Sequence, residues 1–167
     1  MMKYITKTDL YIVSRYSGVV MICVGLMCLF PLIIDLIYFE FNYACFIIPG
    51  VFSVILGYIC MKSLDKYSNS KMRLKHGMMI SSIAWMWASV IGGVVISLAT
   101  GTDFLNGIFE STSALTGTGI TMFDNVEILP HSILYFRAFE QWVGGLGVVV
   151  MMIGILTRPG TASAKLY

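Results

Sequence analysis

Charge is scarce in this chain of 167 residues: Asp, Glu, Lys and Arg together make up 12% of it. An ordinary soluble domain carries about 25%. The deficit excludes intrinsic disorder, a nucleic-acid-binding arm and an ordinary soluble enzyme. The formal net charge of +2 is too small to point to a polyanionic partner, so no nucleic acid is expected. No CxxC occurs among Cys23, Cys28, Cys45 and Cys60, which all lie inside apolar runs. They read as buried thiols, and neither a disulfide framework nor a zinc site is indicated. HExxH, a P-loop lysine motif, a nucleophile elbow and a Cys/His cluster are all missing, which points to a non-enzymatic role without a resident cofactor. There is no Gly/Ser-rich or Pro-rich linker, and no internal repeat of domain-building period. The N-terminal region does not read as a signal peptide, because the apolar run after it is too long for an h-region.

Apolar length is abundant, with 57% of the residues hydrophobic. Tyr16–Ile34 (19 residues), Phe41–Met61 (21), Gly77–Thr102 (26) and Gln141–Thr157 (17) contain no Asp, Glu, Lys or Arg. About 20 helical residues cross a hydrocarbon core of about 30 Å. The last run is long enough if its helix begins at Pro130, a favoured first-turn residue. Pro31 predicts a kink in the first span, and Pro49 lies near the start of the second.

Ten of the eleven Lys and Arg residues fall before the first span, between the second and third, or after the fourth. Four crossings put these groups on one side, which the positive-inside rule makes the cytoplasm. Both termini are therefore expected inside, in a multi-pass cell-membrane protein whose immediate partner is the lipid bilayer. Glu40, Asp103, Asp124 and Glu127 fall outside and suit a vestibule that gathers cations. Arg137 is the exception and needs a local partner. His76 reads as a solvated interface residue. Asp35 reads as interfacial, with a proton-relay role as the alternative. His131 offers no support for a proton or metal role.

The segment 101–129 is the informative one. Thr102 or Asp103 is a good N-cap, and Asp103–Leu115 makes about three helical turns, too few to span. Thr116-Gly117-Thr118-Gly119-Ile120-Thr121 follows, and alternating Thr and Gly is poor helix material. A short helix followed by a Thr/Gly strand between two full spans suggests a re-entrant pore loop. Non-helical backbone survives at membrane depth only where it is buried in protein or lines water. A ring of carbonyls replaces the hydration shell of a potassium ion, with the negative end of the short helix directed at the cation. The alternative is a Gly/Thr-rich extracellular loop with one amphipathic turn. Glu110, in the short helix, and Arg137, in the outer half of the last span, are expected to brace one another, because an unpaired charge there is costly. Arg137 snorkelling to the headgroups or pairing with Glu140 are the alternatives. Gly144, Gly145 and Gly147 suit close helix packing. No strand precedes them, so they form no nucleotide loop.

The phrase from Phe109 to Thr121, FESTSALTGTGIT, resembles the first filter of the Trk/Ktr/HKT superfamily of potassium transporters. Arg137–Gly147, RAFEQWVGGLG, resembles the helix that follows it. The two preceding spans resemble the extra N-terminal helix pair of the Trk branch. The resemblance implies an all-α transmembrane fold of four membrane-spanning helices plus one re-entrant pore helix and filter loop. M1 would be 78–100, the pore helix 103–115, the filter 116–121 and M2 130–157. Backbone carbonyls of Thr116, Gly117, Thr118 and Gly119 would hold the transported potassium ion. Gly119 matches the family's filter glycine, where serine goes with sodium-permeable members. Gly117 departs from the usual threonine.

The implied division is 1–62 for the helix pair, 63–77 for the basic connection, 78–160 for the repeat and 161–167 for the start of a next connection, so the chain looks truncated. The family builds its pore from four such repeats, so the remaining three would come from another chain or from self-assembly. A cytoplasmic nucleotide-binding regulatory subunit is a further implied partner. The expected function is potassium transport as the N-terminal part of a Trk-type uptake subunit. The alternative is a non-conducting remnant or an accessory membrane subunit.

Overall fold

The computed structural model of the protein describes residues 6–64 and 73–156, with side chains through Ile153. Its helices are α1 (Lys7–Met27), α2 (Leu32–Tyr38), α3 (Tyr43–Ser63), α4 (Leu74–Thr100), α5 (Phe104–Leu115) and α6 (His131–Leu156). A 3-10 turn, Val126–Ile128, precedes α6. Four segments are long and apolar enough to cross a membrane: Lys7–Tyr38, Tyr43–Ser63, Leu74–Thr100 and His131–Ile153. This is an all-α transmembrane fold. Residues 65–72 of the basic connection and everything after Leu156, including Arg158, Lys165 and the expected boundary at 160–161, lie outside the described residues.

The first span is broken where Pro31 predicts a kink. α1 ends at Met27, a turn covers Cys28–Phe30, and α2 restarts at Leu32. Leu29 and Phe30 donate to the carbonyls three residues back, so the chain tightens before the proline. Pro49, by contrast, sits inside α3.

Small residues bring α1 and α3 together. A Cβ at Gly25 would lie 2.5 Å from the carbonyl oxygen of Gly50, and one at Gly57 would lie 2.5 Å from that of Gly18. Backbones approach this closely in membranes because no hydrophobic force drives apolar helices together there, and packing has to. Ser53 on α3 joins a third helix to the pair. Its hydroxyl donates to Met21 O at 2.7 Å and accepts from Trp87 Nε1 on α4 at 2.8 Å. Phe46, Val95, Ile96, Ile133 and Phe136 form the buried core between α3, α4 and α6. Phe46 meets Phe136 edge-on, with centroids 5.9 Å apart.

Two polar clusters fix the ends. At one end Thr6 and Asp9 form a capping box on α1, and Asp9 also binds Lys75 and, at 2.8 Å, His76 Nε2. His76 is therefore not a solvated interface residue. It is 1% exposed, because Asp9, 67 residues away, shares its helix end. At the other end Glu40 caps α6. Its carboxylate accepts from Ser132 N at 3.0 Å, Ser132 Oγ at 2.6 Å, His131 N at 2.5 Å and His131 Nδ1 at 2.9 Å. Burial works against the Glu40 carboxylate, yet the Ser132 and His131 donors outweigh it and hold the group below its ordinary range. Asp35 is buried and accepts from Asn42 N at 2.9 Å, which ties the α2–α3 turn. The starts of α1 and α4 thus share one end of the bundle, and the starts of α3 and α6 share the other.

Candidate functional site

α5 is re-entrant. α4 ends at Gly101, and Asp103 stands at the N-cap position of α5 without a side-chain cap bond. The helix then runs back down α4 and α6. Gly107 lies against Gly93 of α4, where a Cβ would be 2.5 Å from the Gly93 carbonyl oxygen. Leu115, the last residue of α5, lies against Gly144, where a Cβ would be 1.9 Å from the Leu115 carbonyl oxygen. Gly144 stands 13 residues into α6, which is about 20 Å along its axis at about 1.5 Å per residue. The end of α5 is therefore deep within the span. The chain returns through 116–130 to the Glu40 end of the bundle. Of the three glycines expected to pack closely, Gly144 alone meets a neighbour tightly; Gly145 meets none within 4 Å and Gly147 touches Trp85 at 3.8 Å.

Thr116–Ile120 is non-helical and exposed. Gly117 and Gly119 take φ of +71° and +72°, a conformation glycine reaches without the steric cost a Cβ imposes. The backbone N–H groups of this strand turn back to the helix. Thr116 donates to Thr112 O, Gly117 to Ala114 O, and Thr118 and Gly119 to Ser113 O at 3.0 and 3.4 Å. Ser113 Oγ donates to Ile120 O at 2.6 Å, which turns that carbonyl inward. Among the described residues no protein donor reaches the carbonyls of Thr116, Gly117, Thr118 or Gly119. Four successive carbonyls thus have no donor among the described residues, at the C-terminal end of α5, where the helix dipole is negative.

Glu110 holds the far end of the strand. It is fully buried, and its Oε1 accepts from Thr121 Oγ1 at 2.8 Å and from Met122 N. Its Oε2 lies 2.5 Å from Arg137 Nη2 on α6. The Arg137 guanidinium also lies over Phe123, 5.9 Å from the ring centroid. Glu110 and Arg137 thus meet, and Arg137 neither snorkels nor pairs with Glu140. Glu140 instead accepts from Ser111 Oγ at 2.6 Å. Sequence reading missed Ser111, Ser113, Thr121 and Glu140 as parts of this framework. Ser111 and Ser113 flank Thr112 in a polar run within an otherwise apolar helix, which was the available signal.

The TrkH family, described as a cation transport protein, matches residues 46–167. This chain belongs to the TrkH family. It is similar to an uncharacterized cation transporter of Methanocaldococcus jannaschii, 38% identical over 164 residues, covering 98% of this chain and 34% of that protein. A Trk system potassium uptake protein TrkH of Halomonas elongata is 29% identical, with 95% of this chain and 33% of the relative covered. TrkG of Escherichia coli, also named a Trk system potassium uptake protein, is 31% identical, with 93% and 32% covered. The chain spans about a third of the length of the curated relatives it matches. No solved structure matches it.

The TrkH-family loop depends on the Glu110–Arg137 pair, and this is testable. Arg137→Ala should cost about 3–5 kcal/mol of stability, since it strands a buried carboxylate. Adding Glu110→Gln should recover part of that loss in thermal unfolding of the detergent-solubilised protein. Strictly additive losses would contradict the contact.

Proposed function

We propose that this chain supplies one M1–pore-loop–M2 unit, with an N-terminal helix pair, to a potassium-conducting transporter of the Trk type. α4 is M1, α5 the pore helix, Thr116–Thr121 the filter strand and α6 M2. The carbonyls of Thr116, Gly117, Thr118 and Gly119 coordinate the passing cation. The observation that carries this reading is the run of exposed carbonyls without protein donors, at membrane depth beside the end of α5. A pore needs such strands around an axis, so three further pore-loop units complete it. Transport of this kind needs no covalent chemistry. A cytoplasmic nucleotide-binding subunit, suggested by the sequence resemblance, would regulate it.

Orientation belongs to the same proposal. Lys7, Lys62, Arg73 and Lys75 gather at the end of the bundle where α1 and α4 start, and that end faces the cytoplasm. Glu40 and the return segment 116–130 face outward. A membrane-impermeant thiol reagent should label Asp124→Cys in sealed cells on a cysteine-free background, and should not label Ser68→Cys. The reverse pattern would overturn the orientation.

The filter is tested at Gly119. A Cβ there would meet no atom within 4 Å, so packing does not oppose Gly119→Ser. The positive φ does, at roughly 1–2 kcal/mol for an L-residue. Relaxing that strain turns one carbonyl off the ion path. In the assembled transporter, Gly119→Ser should keep normal expression and lower potassium-over-sodium preference by about tenfold, equivalent to about 1.4 kcal/mol. Thr121→Ser, which keeps the hydroxyl that Glu110 accepts, should have a smaller effect. Unchanged selectivity in Gly119→Ser flux assays would mean that 116–121 does not line the path.

A further inference from the structure

We propose that Glu140 is a proton-binding site buried between α4, α5 and α6, where a neutral carboxylic acid and Ser111 fix α5 against α6 beside the Glu110–Arg137 pair. The site is built from three helices. Glu140 comes from α6, Ser111 from α5, and α4 closes it with Gly92, where a Cβ would lie 2.1 Å from Glu140 Oε1 and 2.3 Å from Ser111 Oγ. Glu140 is 1% exposed and Ser111 0% exposed within this chain alone, so no further subunit is needed to remove them from water.

The protonation state follows from the partners. Two buried carboxyl groups, Glu110 and Glu140, compete for one guanidinium, that of Arg137, a turn before Glu140 on α6. Glu110 takes it, together with the donors Thr121 Oγ1 and Met122 N. Glu140 has one donor, Ser111 Oγ on Oε1, while its Oε2 is buried without a hydrogen-bond partner. It forms no ion pair among the described residues. The Cys28 thiol at the end of α1 is also in reach and supplies no positive charge; α4 approaches with the Gly92 backbone. A second carboxylate here would be a buried charge without a counter-charge, which proteins avoid by neutralising the group. The proton belongs on Oε2, leaving Oε1 as the acceptor for Ser111. A hydroxyl without an acceptor costs far less than a charge without a partner.

Ionising Glu140 would set a second negative charge beside Glu110 and draw Arg137 away from it, releasing the hold on Thr121 and Met122. Alkaline conditions should therefore loosen the return strand. Glu140 is a positioning residue in this account. Its effect on transport rests on the filter reading above; its protonation does not.

Infrared difference spectroscopy of the full-length protein in lipid nanodiscs separates the two. At neutral pH the wild type should show the carbonyl stretch of a protonated carboxylic acid, sensitive to deuterium exchange and lost in Glu140→Gln. Ser111→Ala, which keeps the acid and removes its donor, should shift the same band, and serves if Glu140→Gln fails to fold. Loss of carboxylate bands alone in Glu140→Gln, or an unshifted band in Ser111→Ala, would overturn the proton site. In flux assays the wild type should lose potassium preference at alkaline pH, and Glu140→Gln should lack that loss. A parallel loss in both would overturn the positioning role. A protein without any selective flux would count against the proposed function and leave the infrared result standing.

Discussion

Backbone that leaves the helix inside a bilayer has no water to satisfy it, and every part of this fold around α5 answers that constraint. The N–H groups of 116–119 bend back onto the last turn of α5, and Ser113 takes the carbonyl of Ile120. Glu110 takes the N–H of Met122 and the hydroxyl of Thr121. Once these are assigned, the carbonyls of Thr116 to Gly119 are what remains. The strand is thereby satisfied on its protein side and unsatisfied on the other, which is the condition for replacing an ion's hydration shell.

Satisfying the strand creates a second demand, because Glu110 is itself a buried charge. Arg137 meets it from α6, so the same contact that holds the strand also locks α6 to α5. Gly144 lets α6 come close enough for the end of α5 to seat against it. Ser111 and Glu140 complete the join about one turn further along α6. The N-terminal helix pair reaches this assembly through Ser53 and Trp87 in the middle and through Glu40 at the end where α3 and α6 start. α5 and its return strand are thus clamped at three heights by residues far apart in the chain.

The spans were legible because apolar length is a property of consecutive residues. The break at Pro31 and the extent of α5 were legible for the same reason: one residue fixes φ, and alternating Thr and Gly ends a helix. The Glu110–Arg137 contact was reachable by elimination, since each charge needed a partner within the membrane. What sequence did not yield were pairings set by helix docking. His76 reads as a solvated residue at the end of a basic stretch until Asp9 is placed beside it. Glu140 reads as an alternative partner for Arg137 until Ser111 is brought to it by the approach of α4 at Gly92. None of these depends on local periodicity, so local pattern carries no trace of them.

The central claim is that Thr116 to Gly119 face a cation. Crystals of the assembled transporter grown with rubidium in place of potassium would locate it directly by anomalous scattering. The account predicts a peak within coordination distance of these carbonyls, on the pore axis beyond the end of α5. Clear peaks elsewhere in the protein, with none along 116–119, would contradict it.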